Sequence, residues 1–124
     1  MLEDSRQKTV AAAVSLADSL PRARLVVFTR HGTMARYVSN LRPQHAPIFA
    51  FTPNEDIYRQ LSVSWGVFAV QIEFTNDPNA TIKAAERYLL AKGLAGSEDN
   101  LVVLTDLHAG ETLVDCVQLR QLQK

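Results

Sequence analysis

The chain has a single cysteine, Cys116, among its 124 residues. That excludes an internal disulfide and any zinc site built from several thiolates. A lone thiol points to a reducing compartment, the cytoplasm, with Cys116 read as a buried strand residue. Histidine is scarce too. His31, His45 and His108 lie far apart and form neither an HxxxH nor an HxH pair, so spacing assigns no metal ligand. Neither sign of charge is in excess: 13 Lys and Arg balance 13 Asp and Glu. Wrapping nucleic acid needs a basic surplus to neutralise phosphates, and a polybasic membrane anchor needs the same, so neither partner is expected. The apolar runs, Leu25–Phe28 among them, are far shorter than the roughly 18–20 residues of a spanning helix. The start, Met1-Leu2-Glu3-Asp4-Ser5-Arg6, lacks the basic and apolar segments of a secretory signal.

What is present is ordinary globular material, 47% hydrophobic and 21% charged, with no repeat, linker or low-complexity tract. Residues 1–124 therefore read as one domain. Val10, Ala13, Val14 and Ala17 keep helical spacing between Glu3 and Leu20, and Pro21 ends that helix. Leu25–Thr29, Ile48–Thr52 and Leu101–Thr105 are short apolar runs of the kind found in strands covered on both faces. Val67–Ile72 reads as another strand. Helices are expected from Met34 to Leu41, from Pro53-Asn54 through Leu61, and from an Asp77-Pro78 start to about Lys92, stopped by Gly93. A last strand, Thr112–Leu119, follows a loop over Asp106–Glu111. That loop is too short for a parallel crossover, so the strand must run antiparallel, at an edge. The expectation is an α/β fold: a three-layer α/β/α sandwich around a five-stranded, mostly parallel sheet with its last strand antiparallel.

In such sheets ligands sit beyond the carboxyl ends of the strands. Thr29, Thr52, Thr75 and Thr105 each stand where a strand gives way to a turn. The segment Thr29-Arg30-His31-Gly32-Thr33 runs straight into a helix, whose free N–H groups and partial positive charge suit an anion such as phosphate. Gly32 permits close approach, Thr29 and Thr33 offer hydroxyls, and Arg30 and His31 offer positive charge. The plainer reading is an ordinary strand-to-helix turn with Thr33 capping the helix and Arg30 in solvent. Neither a GxGxxG nor a Walker pattern is present, so the local signal is for a generic anion. Arg36, one turn in, is placed to pair with a carboxylate such as Asp56. Asp106, His108, Glu111 and Asp115 form a second polar cluster, readable as acid, base or ligand groups or as a solvated turn. No GxSxG elbow occurs. Trp65, before Gly66, reads as a packing aromatic at the start of the third strand, with no basic patch beside it.

The order of these motifs resembles the pyruvate kinase C-terminal domain. Thr29-Arg30-His31-Gly32-Thr33-Met34-Ala35-Arg36-Tyr37-Val38-Ser39 is similar to its signature T-x-S-G-x-T/S-A-R-x-[VIL]-S. Arg42-Pro43, Pro47–Asn54, Arg59-Gln60-Leu61, Trp65-Gly66-Val67, Leu101–Leu104 and Gly110-Glu111-Thr112 follow in the family's order across nearly the whole chain. The resemblance implies the five-stranded fold already read from the pattern. It also implies a glycolytic setting in which a separate (β/α)₈ barrel transfers phosphoryl from phosphoenolpyruvate to ADP. Such a barrel takes ~250 residues, so this chain is expected to be a regulatory and assembly domain, not catalytic alone, and without cofactor. Whether it is an excised domain or a free-standing relative stays open.

By resemblance, the effector or phosphate site is Thr29, Arg30, His31, Gly32, Thr33 and Arg36. A second effector loop would hold Asp106, His108, Gly110 and Thr112. Its acidic character departs from bisphosphate binders, and Leu113 stands where the family has Asn. Homodimerisation is expected too, through the edge carrying Leu113, Val114, Val117 and Leu119. The alternative is a small free-standing enzyme using His31 or His108 as a general base in the same crevice.

Overall fold

The computed structural model describes residues 2–109 and 112–122, with backbone alone for 2–5, 106–109 and 112–115. Helix α1 (Leu2–Ser19) buries Val10, Ala13, Val14 and Ala17 along one stripe, as their spacing requires. Strand β1 (Ala23–Phe28) and strand β2 (Ile48–Thr52) are buried almost throughout, which is why their sequences run apolar without alternation. Between them lies α2 (Thr33–Leu41), closed by Arg42 in the left-handed region ahead of Pro43. Helix α3 (Glu55–Leu61) begins at Asn54, whose side chain accepts the Ile57 N–H. Strand β3 spans Val67–Gln71. Helix α4 (Pro78–Ala91) opens with Asp77 accepting the Asn79 N–H and Pro78 in the first turn. It closes on Gly93, with Leu94 N–H on Leu89 O at 2.9 Å and Gly93 N–H on Leu90 O at 3.1 Å.

The sheet order is β3-β2-β1-β4-β5, where β4 is Asn100–Ala109 and β5 is Thr112–Gln121. The first four strands are mutually parallel and β5 pairs antiparallel with β4, from Asn100↔Gln121 to Ala109↔Thr112. The expected architecture is thus the observed one. Leu25, Val27, Ala50, Val102 and Leu104 point to one face and pack with α1, α2 and Leu61 of α3. Val26, Phe28, Phe49, Phe51, Leu101 and Val103 point to the other and pack under α4. Phe51 stacks on Phe28 at 5.5 Å and meets Tyr88 of α4 edge-on at 6.1 Å. Each such fully buried side chain contributes about 1.5–3 kcal/mol by leaving water. Right-handed crossovers explain the layering: chain growth from β1 through β2 to β3 keeps its helices on one face, and the return to β4 puts α4 on the other.

One expectation needs correcting. Asp106–Ala109 is the end of β4, not a loop, and only two residues separate β4 from β5. An antiparallel hairpin supplies backbone partners all along both strands, so Asp106 and His108 continue the ladder past the buried sheet. Thr105 is accordingly inside a strand, and Thr75 lies beyond the end of β3.

Candidate functional site

Strand order reverses between β1 and β4, and the crevice beyond their carboxyl ends is where such a sheet binds ligands. The turn from β1 into α2 borders that crevice. Thr29 is buried, and its N–H still pairs with Phe51 O at 3.0 Å, holding the end of β1 to β2. Its hydroxyl turns back to accept Gly32 N–H at 2.7 Å. This tight return needs φ +86° at Gly32, a left-handed conformation that glycine adopts without strain. Gly32 is the residue that caps α2, and no side chain caps it. Thr33 is therefore the first helical residue and not the cap. The first intrahelical bond runs from Arg36 N–H to Gly32 O at 3.0 Å. Thr33, Met34 and Ala35 consequently have N–H groups with no partner inside the helix.

The side chains around this nest divide in two directions. Arg36 folds back along α2: its Nη2 donates to His31 O at 3.4 Å. Its Nη1 stands 2.6 Å from where a Cβ on Gly32 would be, with Ile57 Cγ2 at 3.4 Å on the α3 side. Among the described residues Arg36 has no ion pair with Asp56, because its guanidinium is turned toward the helix start. Arg30 goes the other way. Its guanidinium lies 5.0 Å over the Phe74 ring, which itself meets Phe28 edge-on at 5.8 Å. Arg30 and His31 are exposed, so both side chains stay at the rim. Met34, at the position where the signature carries a hydroxyl, is buried in the core and offers none.

The arrangement can hold an anion: uncapped N–H groups at a helix start, a hydroxyl at Thr33, and the guanidinium of Arg36 at the mouth. The structure brings Thr29, Arg30, His31, Gly32, Thr33 and Arg36 together in one turn. Asp106 and His108 stand on the projecting end of β4, beyond the last β1–β4 pair, Val27↔Leu104, and Thr112 opens β5 opposite them. The side chains of Asp106, His108, Thr112, Leu113, Val114 and Asp115, and the whole of Gly110 and Glu111, lie outside the described residues. Cys116 is half-buried on β5, near the Gln118 amide at 3.7 Å, and so is not the core residue expected.

A second polar feature escaped the sequence reading. Trp65 is half exposed and carries the Arg42 guanidinium at 5.1 Å over its ring. It is not a core aromatic, and a basic group does lie beside it. Arg42 and Trp65 are too far apart in sequence to signal the contact. Only the docking of α2 against the turn after α3, fixed by Ser39 Oγ donating to Trp65 O at 2.7 Å, brings them together. Asp99 was likewise unremarked. It is buried, accepts Gly96 N–H at 2.7 Å and faces Arg24 at 3.5 Å and Arg22 at 3.7 Å, bracing the opposite end of the sheet.

Comparison with known proteins adds to this geometry. The family model described as "Pyruvate kinase, alpha/beta domain" matches residues 7–117. A pyruvate kinase from Lactococcus lactis subsp. lactis is 30% identical over 117 residues, which cover 94% of this chain and 23% of that protein. The chloroplastic pyruvate kinase isozyme A of Nicotiana tabacum is 31% identical over 96 residues, 77% of this chain and 16% of that protein. The chain thus spans about a sixth to a quarter of the length of these relatives. The structure of Cryptosporidium parvum pyruvate kinase in complex with ADP superposes with a TM-score of 0.84 at 18% identity, over 94% of this chain and 23% of that one. At that identity the superposition establishes the fold. No helix among the described residues is long and apolar enough to cross a membrane.

Proposed function

The chain belongs to the pyruvate kinase alpha/beta domain family, and from that premise we propose that it is a regulatory and assembly domain which binds a phosphorylated metabolite at the start of α2. The parent enzyme is glycolytic and transfers phosphoryl from phosphoenolpyruvate to ADP. In this reading that chemistry belongs to a barrel domain, and the present domain senses and associates. One observation carries the proposal: an uncapped helix start, shaped by Gly32 in the left-handed region, at the point where strand order reverses. A phosphate there would take N–H donors from Thr33, Met34 and Ala35 and charge from Arg36. Neither Arg30 nor His31 fills the turn, since both are exposed. Association is assigned to the outer edge of β5, where Leu119 is 53% exposed and one row of backbone groups has no strand partner among the described residues.

Calorimetric titration with fructose 1,6-bisphosphate, sugar monophosphates and inorganic phosphate tests the binding half. Saturable binding that is lost in Gly32→Val and retained in Asn54→Ala supports it. Binding unchanged in Gly32→Val places the anion elsewhere. Light scattering at high micromolar concentration tests the other half: a dimer that Leu119→Lys dissociates is expected, and a monomer refutes it.

A further inference from the structure

A row of aromatic rings runs from the crevice rim into the core. Phe28, at the end of β1, stacks on Phe51 of β2, and Phe51 meets Tyr88 of α4 edge-on. Phe74, in the segment after β3, closes the row at the rim by meeting Phe28 edge-on at 5.8 Å. Phe28 and Phe51 are buried, whereas Phe74 is half-buried and has the Arg30 guanidinium 5.0 Å from its centre. Among the described residues that guanidinium has no hydrogen bond and no carboxylate partner, so the Phe74 ring is what holds it. Arg30 is exposed, and its flexible stem can swing without opening the core. Two residues further on is Gly32, at the uncapped start of α2. One short turn thus carries both the anion site and a cation held to one side of it.

The two places open to Arg30 differ in strength. A cation over a partly exposed ring is worth a factor of about 2–5, and a guanidinium paired with phosphate about tenfold or more. An anion at the turn therefore outweighs the ring. We propose that Arg30 is a latch on this site: Phe74 holds its guanidinium aside, and a bound phosphate captures it as a second cation beside Arg36. The inference rests on the anion site proposed at the start of α2 and adds what regulates it. Phe74 touches no ligand in this arrangement. It sets the affinity by competing for Arg30, since a ligand shifts such an equilibrium only by its preference for one of the two positions.

Nuclear magnetic resonance of the whole chain, titrated with inorganic phosphate, observes site and latch separately. The Thr33, Met34 and Ala35 amides report on the turn. The Arg30 side-chain δ protons, shifted upfield by the Phe74 ring, report on the latch. Saturable shifts of the three amides are expected, with the Arg30 protons returning to their ordinary position at the same midpoint. Phe74→Leu should tighten phosphate by about 2–5-fold, the factor the ring withholds. Phe74→Tyr keeps a ring and should bind as the wild type does. Arg30→Gln should weaken phosphate by at least about threefold, and Phe74→Leu should then change nothing further. Lys92→Gln, which removes another cation held over a ring, that of Tyr88, should leave the affinity unchanged. Far-UV circular dichroism checks that each variant is folded. Amides that saturate while the Arg30 protons stay ring-shifted would reject the latch and keep the anion site. So would an affinity that Phe74→Leu leaves unchanged, or raises equally in the Arg30→Gln background. No amide response in the wild type and in Phe74→Leu alike would remove the site and the latch together.

Discussion

Gly32 and Gly93 provide a matched pair for measuring how firmly the turn before α2 is set. Both are left-handed, at φ +86° and +68°. A methyl group on Gly93 would meet nothing within 4 Å, whereas on Gly32 it would come 2.6 Å from Arg36 Nη1. Alanine forced into this backbone region costs about 1–2 kcal/mol, so Gly93→Ala should lose that amount and little more. Gly32→Ala should lose the same amount plus the displacement of the Arg36 guanidinium. That group is the flexible end of an exposed side chain with one long hydrogen bond to His31 O, at 3.4 Å, so moving it adds only about 0.5–1 kcal/mol. Urea unfolding followed by Trp65 emission gives both values, and each kcal/mol should lower Tm by roughly 3–6 °C for a domain of this size. The decisive comparison is made in an Arg36→Ala background, where the cost of Gly32→Ala should fall to that of Gly93→Ala. If Gly32→Ala costs less than about 0.5 kcal/mol, or if Arg36→Ala leaves its cost unchanged, the described turn is not the one the protein adopts.

Phe51 is fully buried between Phe28 and Tyr88, so Phe51→Ala should cost about 3–5 kcal/mol in denaturant unfolding; a loss under about 2 would contradict the packing beneath α4. Thr105 carries a buried hydroxyl with no hydrogen-bond partner among the described residues, so Thr105→Val should leave stability unchanged or raise it by about 1 kcal/mol, and a clear loss would reveal a partner. Arg120 donates from Nε and Nη2 to Glu86 Oε1, at 3.2 and 2.9 Å, and so ties β5 to α4. Arg120→Ala leaves Glu86 part-buried and unpaired and should cost about 1–2 kcal/mol. A double-mutant cycle with Glu86→Ala should return a coupling of about 0.5–1 kcal/mol, and strict additivity would rule the pair out as a tie.

Much of the fold could be read directly because local chemistry sets it. Asn54 and Asp77-Pro78 start helices by supplying a side-chain acceptor to free N–H groups, and Gly93 stops one by taking a positive φ. The uninterrupted apolar runs at Leu25, Ile48 and Leu101 required strands covered twice, and short alternating connections required a parallel sheet. The turn at Gly32 was legible for the same reason, since a single glycine between a buried strand and a helix has few other uses. The end of β4 was not, because Asp106 and His108 break the apolar run and Asp106–Ala109 takes its strand conformation only from β5. The direction of Arg36 was not legible either. A long cation one turn into a helix reaches several carboxylates or carbonyls, and the packing of α3 against Gly32 decides which.

The order of residues alone determined which elements form, where the capped helices start and stop and which of their faces are apolar, because those follow from backbone sterics, capping and burial within a few positions. Tertiary structure decided the rest. It put Arg42 over Trp65, it turned Arg36 back to the His31 carbonyl, and it set Arg30 over Phe74 and away from the helix start. Contacts between residues twenty or more positions apart depend on how elements dock, and docking is a property of shapes summed over the whole core rather than of any one segment.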